Sequence, residues 1–112
     1  MVNKIRVETD EDSLNLVDNK ICAVVNSIEY KFDLSSVNKL VLLTTDLGPV
    51  YDDLGLAIDV GSDVIFIMSA HKCFKSFLFD QIGKALPVDY QKVIEASMSS
   101  ENNVFEIYVK ES

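Results

Sequence analysis

Apolar and polar residues alternate along the first third of the chain. Ile5 and Val7 in KIRVET are separated by one polar residue, and so are Leu14 and Leu16 in SLNLV. A period of two is typical of a strand that buries one face. The next two segments, ICAVVN and EYKFDL, flank Asn26-Ser27, and this arrangement predicts a tight hairpin turn.

Two later segments, KLVLLTT and VIFIM, are apolar at consecutive positions. Such runs are typical of strands covered on both faces, so both are predicted to lie inside a sheet. LGLAIDV precedes the turn residues GSD and VIFIM follows them, and these two segments predict a second hairpin.

The hydrophobic period changes to 3.6 after Ser69, which is the predicted N-cap of an amphipathic helix over KCFKSFLFDQIGKAL. Pro87 ends this helix. Asp89 is predicted to cap a second, shorter helix, YQKVIEASM. The residues predicted on the inner face of the second helix are Tyr90, Val93, Ile94 and Ser97.

The segment VFEIYVK predicts one more strand after the helices. Alternation would turn Phe105, Ile107 and Val109 inward, with Val104 and Tyr108 on the outer face. A block of strands followed by helices is typical of an α+β fold. We therefore predict a single domain over residues 1–112, with an antiparallel sheet of about five to seven strands. Two C-terminal helices would cover one face, and the final strand would lie at an edge.

Composition and charge exclude several classes of function. The chain is 48% hydrophobic and 25% charged, and its formal net charge is −8. Arg6 is the only arginine and the nine lysines are scattered, so no basic patch is predicted for nucleic acid or for an anionic membrane. The first residues lack a secretory apolar segment, and no run is long enough to cross a bilayer. We expect a cytoplasmic protein.

Candidate chemistry centres on five carboxylates in TTDLGPVYDDLGLAIDVGSD, which are Asp46, Asp52, Asp53, Asp59 and Asp63. Their offsets do not match a calcium-binding loop, and no glutamate closes the segment. Asp59 and Asp63 bracket a turn, where aspartate is favoured. His71 and Cys73 are two positions apart and would not face each other, and Cys22 reads as a small buried residue. We therefore predict no metal site, no catalytic residues and no cofactor.

The middle of the chain, VNKLVLLTTDLGPVYDDLGLAIDVGSDVIFI, is similar to a family of small, uncharacterised bacterial proteins. The matching pieces are Thr44-Thr45-Asp46, Gly48-Pro49, Asp52-Asp53, Val88-Asp89-Tyr90, Glu95-Ala96-Ser97-Met98 and Asn102-Asn103-Val104-Phe105. The resemblance covers residues 38–109. It departs at Val50, where the family has an aromatic residue, and at Gly55-Leu56, where it has a bulky one. The resemblance implies a bacterial cytoplasmic protein and implies no activity.

Three functions are consistent with these observations. The leading interpretation is a non-catalytic, acidic module that binds a second copy of itself or another protein. The alternatives are an immunity-type inhibitor of a basic toxin, and an enzyme that uses the loop from Asp46 to Asp53. We expect a homodimer formed through the last strand. The residues predicted to take part in binding are Asp46, Asp52, Asp53, Phe79, Val104 and Tyr108.

Overall fold

The computed structural model describes residues 3–44, 54–98 and 103–110. Within these ranges the chain forms eight strands and two helices, and the predicted α+β class is confirmed. In chain order the elements are β1 (Asn3–Val7), β2 (Ser13–Val17), β3 (Lys20–Val25), β4 (Ile28–Asp33), β5 (Lys39–Thr44), β6 (Leu54–Asp59), β7 (Asp63–Met68), α1 (74–85, π-helical over Ser76–Ile82 and α-helical over Gly83–Ala85), α2 (Tyr90–Met98) and β8 (Asn103–Val109).

The larger sheet has five strands in the order β1-β7-β6-β5-β8. Its neighbours are antiparallel except for β1 and β7, which are parallel. The last strand lies at an edge, as the sequence predicts. The hairpin of β6 and β7 is also confirmed, and both of its strands are interior to the sheet.

A separate antiparallel sheet contains β2, β3 and β4. Both of its turns have two central residues with positive φ: Asp18 and Asn19 at 51° and 61°, and Asn26 and Ser27 at 54° and 67°. This is the turn geometry that matches the twist of a two-residue hairpin. The predicted turn at Asn26-Ser27 is therefore confirmed. The sequence did not predict a second sheet, because strand periodicity does not identify a strand's partner.

The first helix begins at Phe74, five residues after the predicted N-cap Ser69, whose N–H donates to the Leu54 carbonyl beside β6. The cap of α2 is confirmed, because Asp89 accepts the N–H groups of Gln91 and Lys92 at 3.1 and 3.3 Å. No helix in the described ranges is long and apolar enough to cross a membrane.

One face of the five-stranded sheet, the inner face, packs into the core. Its buried residues include Leu40 and Leu42 of β5, Leu56 and Ile58 of β6, and Ile65 and Ile67 of β7. The smaller sheet and the helices contribute to the same hydrophobic cluster through Leu14, Ile21, Ala23, Phe77, Leu78, Ile82, Val93 and Ala96. The core therefore lies between the larger sheet and a mixed layer of strands and helices.

The predicted inner face of α2 is wrong at three of its four positions. Val93 is buried, but Tyr90 and Ile94 are exposed large hydrophobic residues and Ser97 is exposed. The buried partner of Val93 is Ala96. The helix contacts β8 and β5 at the end of the sheet. Only one side of α2 is covered by these strands. The helix therefore has more apolar residues than the core can bury, and some of them face solvent.

Candidate functional site

The loop carboxylates that were predicted to take part in binding lie outside the described residues: Asp46, Asp52 and Asp53. Both hairpin carboxylates accept a hydrogen bond within the turn, and that of Asp59 comes from the backbone, as predicted. Asp59 accepts the Gly61 N–H at 2.8 Å, and Asp63 accepts the Ser62 hydroxyl at 2.9 Å. Within residues 3–44, 54–98 and 103–110, no three His, Cys, Asp or Glu side chains are grouped to hold a metal ion.

Both ring nitrogens of His71 are engaged by the backbone. Nε2 lies 2.8 Å from the Thr9 carbonyl, and Nδ1 lies 3.1 Å from the N–H of Cys73. A carbonyl can only accept and an N–H can only donate, so the ring is the Nε2–H tautomer. His71 is half-buried. His71 thus joins the β1–β2 connection to the start of α1 and is not arranged as a base for the Cys73 thiol.

Asp12 is a structural carboxylate that the sequence did not reveal. It is buried and accepts the N–H groups of Thr9 and Glu8 at 3.0 Å and that of Asn26 at 3.2 Å. These backbone donors, those of Thr9 and Glu8 first, lower the pKa of Asp12 from 3.8 to about 2. The carboxylate ties the β1–β2 connection to the β3–β4 turn. Its only sequence signal is an aspartate three residues after a threonine in a short connection.

The predicted alternation along β8 is wrong beyond its middle. The register between β5 and β8 shifts at Leu40/Val41, where a β-bulge interrupts the pairing. As a result Tyr108 pairs with the inward-facing Leu40 and packs against the core, while Val109 is exposed. A bulge places two residues opposite one and reverses the alternation that follows. Val104, before the bulge, is 66% exposed as predicted.

The open edge of β8 is partly covered by the start of α2. The N–H of Asp89 donates to the Ile107 carbonyl at 2.7 Å, and the ammonium of Lys92 donates to the Glu106 carbonyl at 3.3 Å. Covered carbonyls cannot pair with a strand from another chain, and this is a common way to protect a sheet edge. Two carbonyls of this edge are therefore engaged within the chain, and the predicted self-association through β8 stays a prediction.

Four exposed apolar side chains form a continuous helical ridge, Phe79, Tyr90, Ile94 and Met98. The last three are spaced four residues apart on α2, and the Phe79 ring stacks on Tyr90 with centroids 6.2 Å apart and planes 18° apart. The second helix contacts Phe79 through this stacking, and Phe79 remains 40% exposed. Val104 lies on the opposite side of the larger sheet, so Val104 and Phe79, which were both predicted to take part in binding, do not belong to one patch.

The other face of the five-stranded sheet, the outer face, is also apolar. Its apolar strand residues are half-buried or exposed, and none belongs to the core cluster or packs against it: Val41, Leu43, Ala57, Val64, Phe66, Met68, Val104 and Val109. At the β1–β7 corner this face continues into a groove of about 540 Å³ whose lining includes Arg6, Phe66 and Met68.

The outer face is close to neutral, whereas the chain as a whole is acidic. Its strands carry three basic and two acidic side chains: Lys4, Arg6, Lys39, Asp59 and Glu106. These sum to +1, and Glu8 and Asp10 of the corner groove bring the sum to −1, which leaves −7 on the remainder of the chain. Lys39 and Glu106 form an ion pair at 3.2 Å. Two apolar surfaces are thus present, a ridge on the helical layer and the outer face of the sheet.

Comparison of the chain with protein-family models, curated proteins and solved structures finds no match. The resemblance to a bacterial family through the TTD, GP and DD pieces therefore stays a prediction. Function is argued from the geometry and chemistry of the two surfaces.

Proposed function

We propose that the protein is a non-catalytic module that binds another protein through the helical ridge. The observation that carries this proposal is the position of Ile94, which is 53% exposed on a helix that already packs into the core through Val93 and Ala96. Apolar residues scattered singly on a surface need no explanation, but a contiguous ridge is typical of an interaction site.

The chemistry of the ridge favours one kind of partner. Three equally spaced apolar side chains on α2 fit the apolar stripe of an amphipathic helix. The exposed charged residues beside the ridge include Asp80, Asp89 and Glu95, opposed by Lys84, and the whole chain is acidic. A partner helix with basic residues flanking its apolar stripe would be attracted and oriented by these charges.

Site-specific photocrosslinking in cells tests this proposal. A photoreactive phenylalanine analogue replaces Tyr90, and the control places it at Ile28, which is exposed and apolar on β4. We expect a discrete product at position 90 that contains a basic protein, is absent at position 28 and disappears when Ile94→Glu is added. The purified partner should then bind the wild type at least about tenfold more tightly than the Ile94→Glu variant.

The same experiment can contradict the proposal. Equal products at positions 90 and 28, or a product that survives Ile94→Glu, would mean that the ridge is not a specific binding surface. Circular dichroism of the Ile94→Glu variant controls for unfolding. We expect an unchanged spectrum, because position 94 faces solvent.

A second candidate, an immunity-type inhibitor of a basic toxin, is favoured by the charge distribution. Outside the outer face and its corner groove the chain carries −7, and a basic enzyme would be drawn to that surface. This candidate is tested by co-expressing the chain with the products of its neighbouring genes. Rescue from a toxic basic product, lost with Ile94→Glu, would support it; the absence of any rescued toxin would contradict it. The enzyme alternative depends on Asp46 to Asp53, outside the described residues, and stays a prediction.

A further inference from the structure

The outer face contains a row of residues whose two ends carry opposite charges. Read across the sheet from β1 to β8, the strand register aligns Arg6, Phe66, Ala57, Val41 and Glu106. The row is basic at one end, acidic at the other and apolar between them. Its central residue, Ala57, lies on β6, which is the middle strand of the five.

We propose that a second copy of this chain binds the outer face, forming a two-fold dimer of sheets packed face to face. This inference is independent of the helical ridge, because the two surfaces lie on opposite sides of the larger sheet. The two-fold axis runs parallel to β6, midway between the two sheets. It places β1 of one protomer opposite β8 of the other and leaves each row at the same position along the strand direction. The row then faces its own reversed copy, as an isologous interface requires.

The reversal matches the residues of the row in charge and in size. Arg6 of one protomer faces Glu106 of its partner, Phe66 faces Val41, and Ala57 faces its own copy on the axis. Arg6 has no ion pair with any residue in the described ranges. The Arg6 guanidinium would thus extend the existing pair of Lys39 and Glu106 into a three-membered network across the interface.

The neighbouring rows also fit this axis. Met68, Gly55 and Leu43 are aligned by the register, so Met68 of one protomer faces Leu43 of the other. Gly55 is buried because the Met68 side chain lies over it, so the Met68 side chains of both protomers fill this row beside the axis. The small side chain of Ala57 on the axis allows the sheets to approach to the roughly 10 Å that is usual for face-to-face packing. The least favourable row brings Asp59 close to its copy. In each protomer, however, Lys39 is the cross-strand neighbour of Asp59, so a positive charge lies beside each carboxylate.

The size and charge of the face suit a weak, reversible dimer. Five strands about 4.8 Å apart, each contributing about five residues at 3.4 Å, give a patch of about 24 by 17 Å, or about 400 Å² per protomer. This area is below the roughly 800 Å² per partner of a standard interface and falls in the range of weak, transient contacts. A chain of net charge −8 would repel its copy through most of its surface, but the outer face and its corner groove together carry only −1.

Sedimentation equilibrium on the purified chain tests the proposal, with a charge swap as the decisive comparison. We expect a reversible dimer. The single variants Arg6→Glu and Glu106→Arg should each weaken it by at least about tenfold, because each places like charges opposite one another. The double variant Arg6→Glu/Glu106→Arg should restore the wild-type dissociation constant to within about threefold.

A cysteine on the axis gives a second measurement that does not depend on the charge variants. In a Cys22→Ser/Cys73→Ser background, Ala57→Cys should be joined to its copy by a short bis-maleimide crosslinker that spans the roughly 10 Å between the sheets, whereas Ile28→Cys should not. A monomer at all concentrations, a double variant as weak as its single parents, or equal crosslinking at positions 57 and 28 would each overturn the proposal. Partner binding through the ridge would be unaffected by these outcomes, so the two proposals fail separately.

Discussion

Replacing Val93 and Ile94 by the same residue, threonine, tests the observed rotation of α2. The two neighbours are both β-branched aliphatic residues, so the helix-propensity cost of threonine nearly cancels between the variants. Val93 is 7% exposed and Ile94 is 53% exposed. The structure therefore predicts very different losses of stability from the same product residue at adjacent positions.

The magnitudes follow from burial. Val93→Thr keeps the shape but places a hydroxyl in the core, which costs about 2 kcal/mol. Ile94→Thr removes apolar surface that is about half in water already, and its hydroxyl stays hydrated, so we expect a loss of about 0.5 kcal/mol. For a chain of this size these losses lower the melting temperature by about 8 °C and 2 °C.

Urea unfolding followed by circular dichroism measures both variants, at a protein concentration low enough to keep the chain monomeric. The ratio of the two losses is the informative quantity, because errors in extrapolation to zero urea are shared. A loss for Ile94→Thr equal to or larger than that for Val93→Thr would refute the observed rotation. It would support the inner face that the sequence pattern predicted.

Three further outcomes are expected. Ser27→Gly should stabilise the fold by about 0.5 kcal/mol in chemical denaturation, because glycine adopts the positive φ of this turn without strain, while Ser27→Ala should give no gain. Gly83→Ala should cost about 2 kcal/mol, since the added Cβ would collide with the Leu78 carbonyl and the Tyr90 hydroxyl; a neutral effect in thermal unfolding would contradict that packing. The lowered pKa of Asp12 contributes stability that is complete above pH 3.8 and is lost as pH falls towards about 2. Urea titrations at several pH values should show this loss in the wild type and a smaller one in Asp12→Asn.

The sequence predicted local structure better than pairing. All strand segments, both helices, the turn at Asn26-Ser27 and the Asp89 cap follow from periods and turn chemistry, which act over a few residues. The division into two sheets and the parallel pairing of β1 with β7 depend on contacts between distant segments. No local pattern encodes these contacts.

The candidate surfaces were predictable only in part. Phe79 and Val104 are exposed hydrophobic residues, and both were among the residues predicted from the sequence to take part in binding. Tyr108 was assigned to the wrong side because a bulge changes the alternation without a glycine or proline to mark it. Ile94 was assigned to the core because it fits the helical stripe equally well, and only tertiary packing decides which side of a short helix is covered.

The two sheets differ in how far along the chain their strand partners lie, and this difference implies an order of folding. In the smaller sheet, two-residue turns join β2 to β3 and β3 to β4, so its pairs form between near neighbours. In the larger sheet, Asn3 pairs with Asp63 and Lys39 pairs with Val109. Closing such long loops costs chain entropy before any contact rewards it. During synthesis on a ribosome, the smaller sheet of β2, β3 and β4 can therefore form before β7, the pairing partner of β1, has been synthesised. A nascent chain would then carry a solvated N-terminal strand for much of its translation.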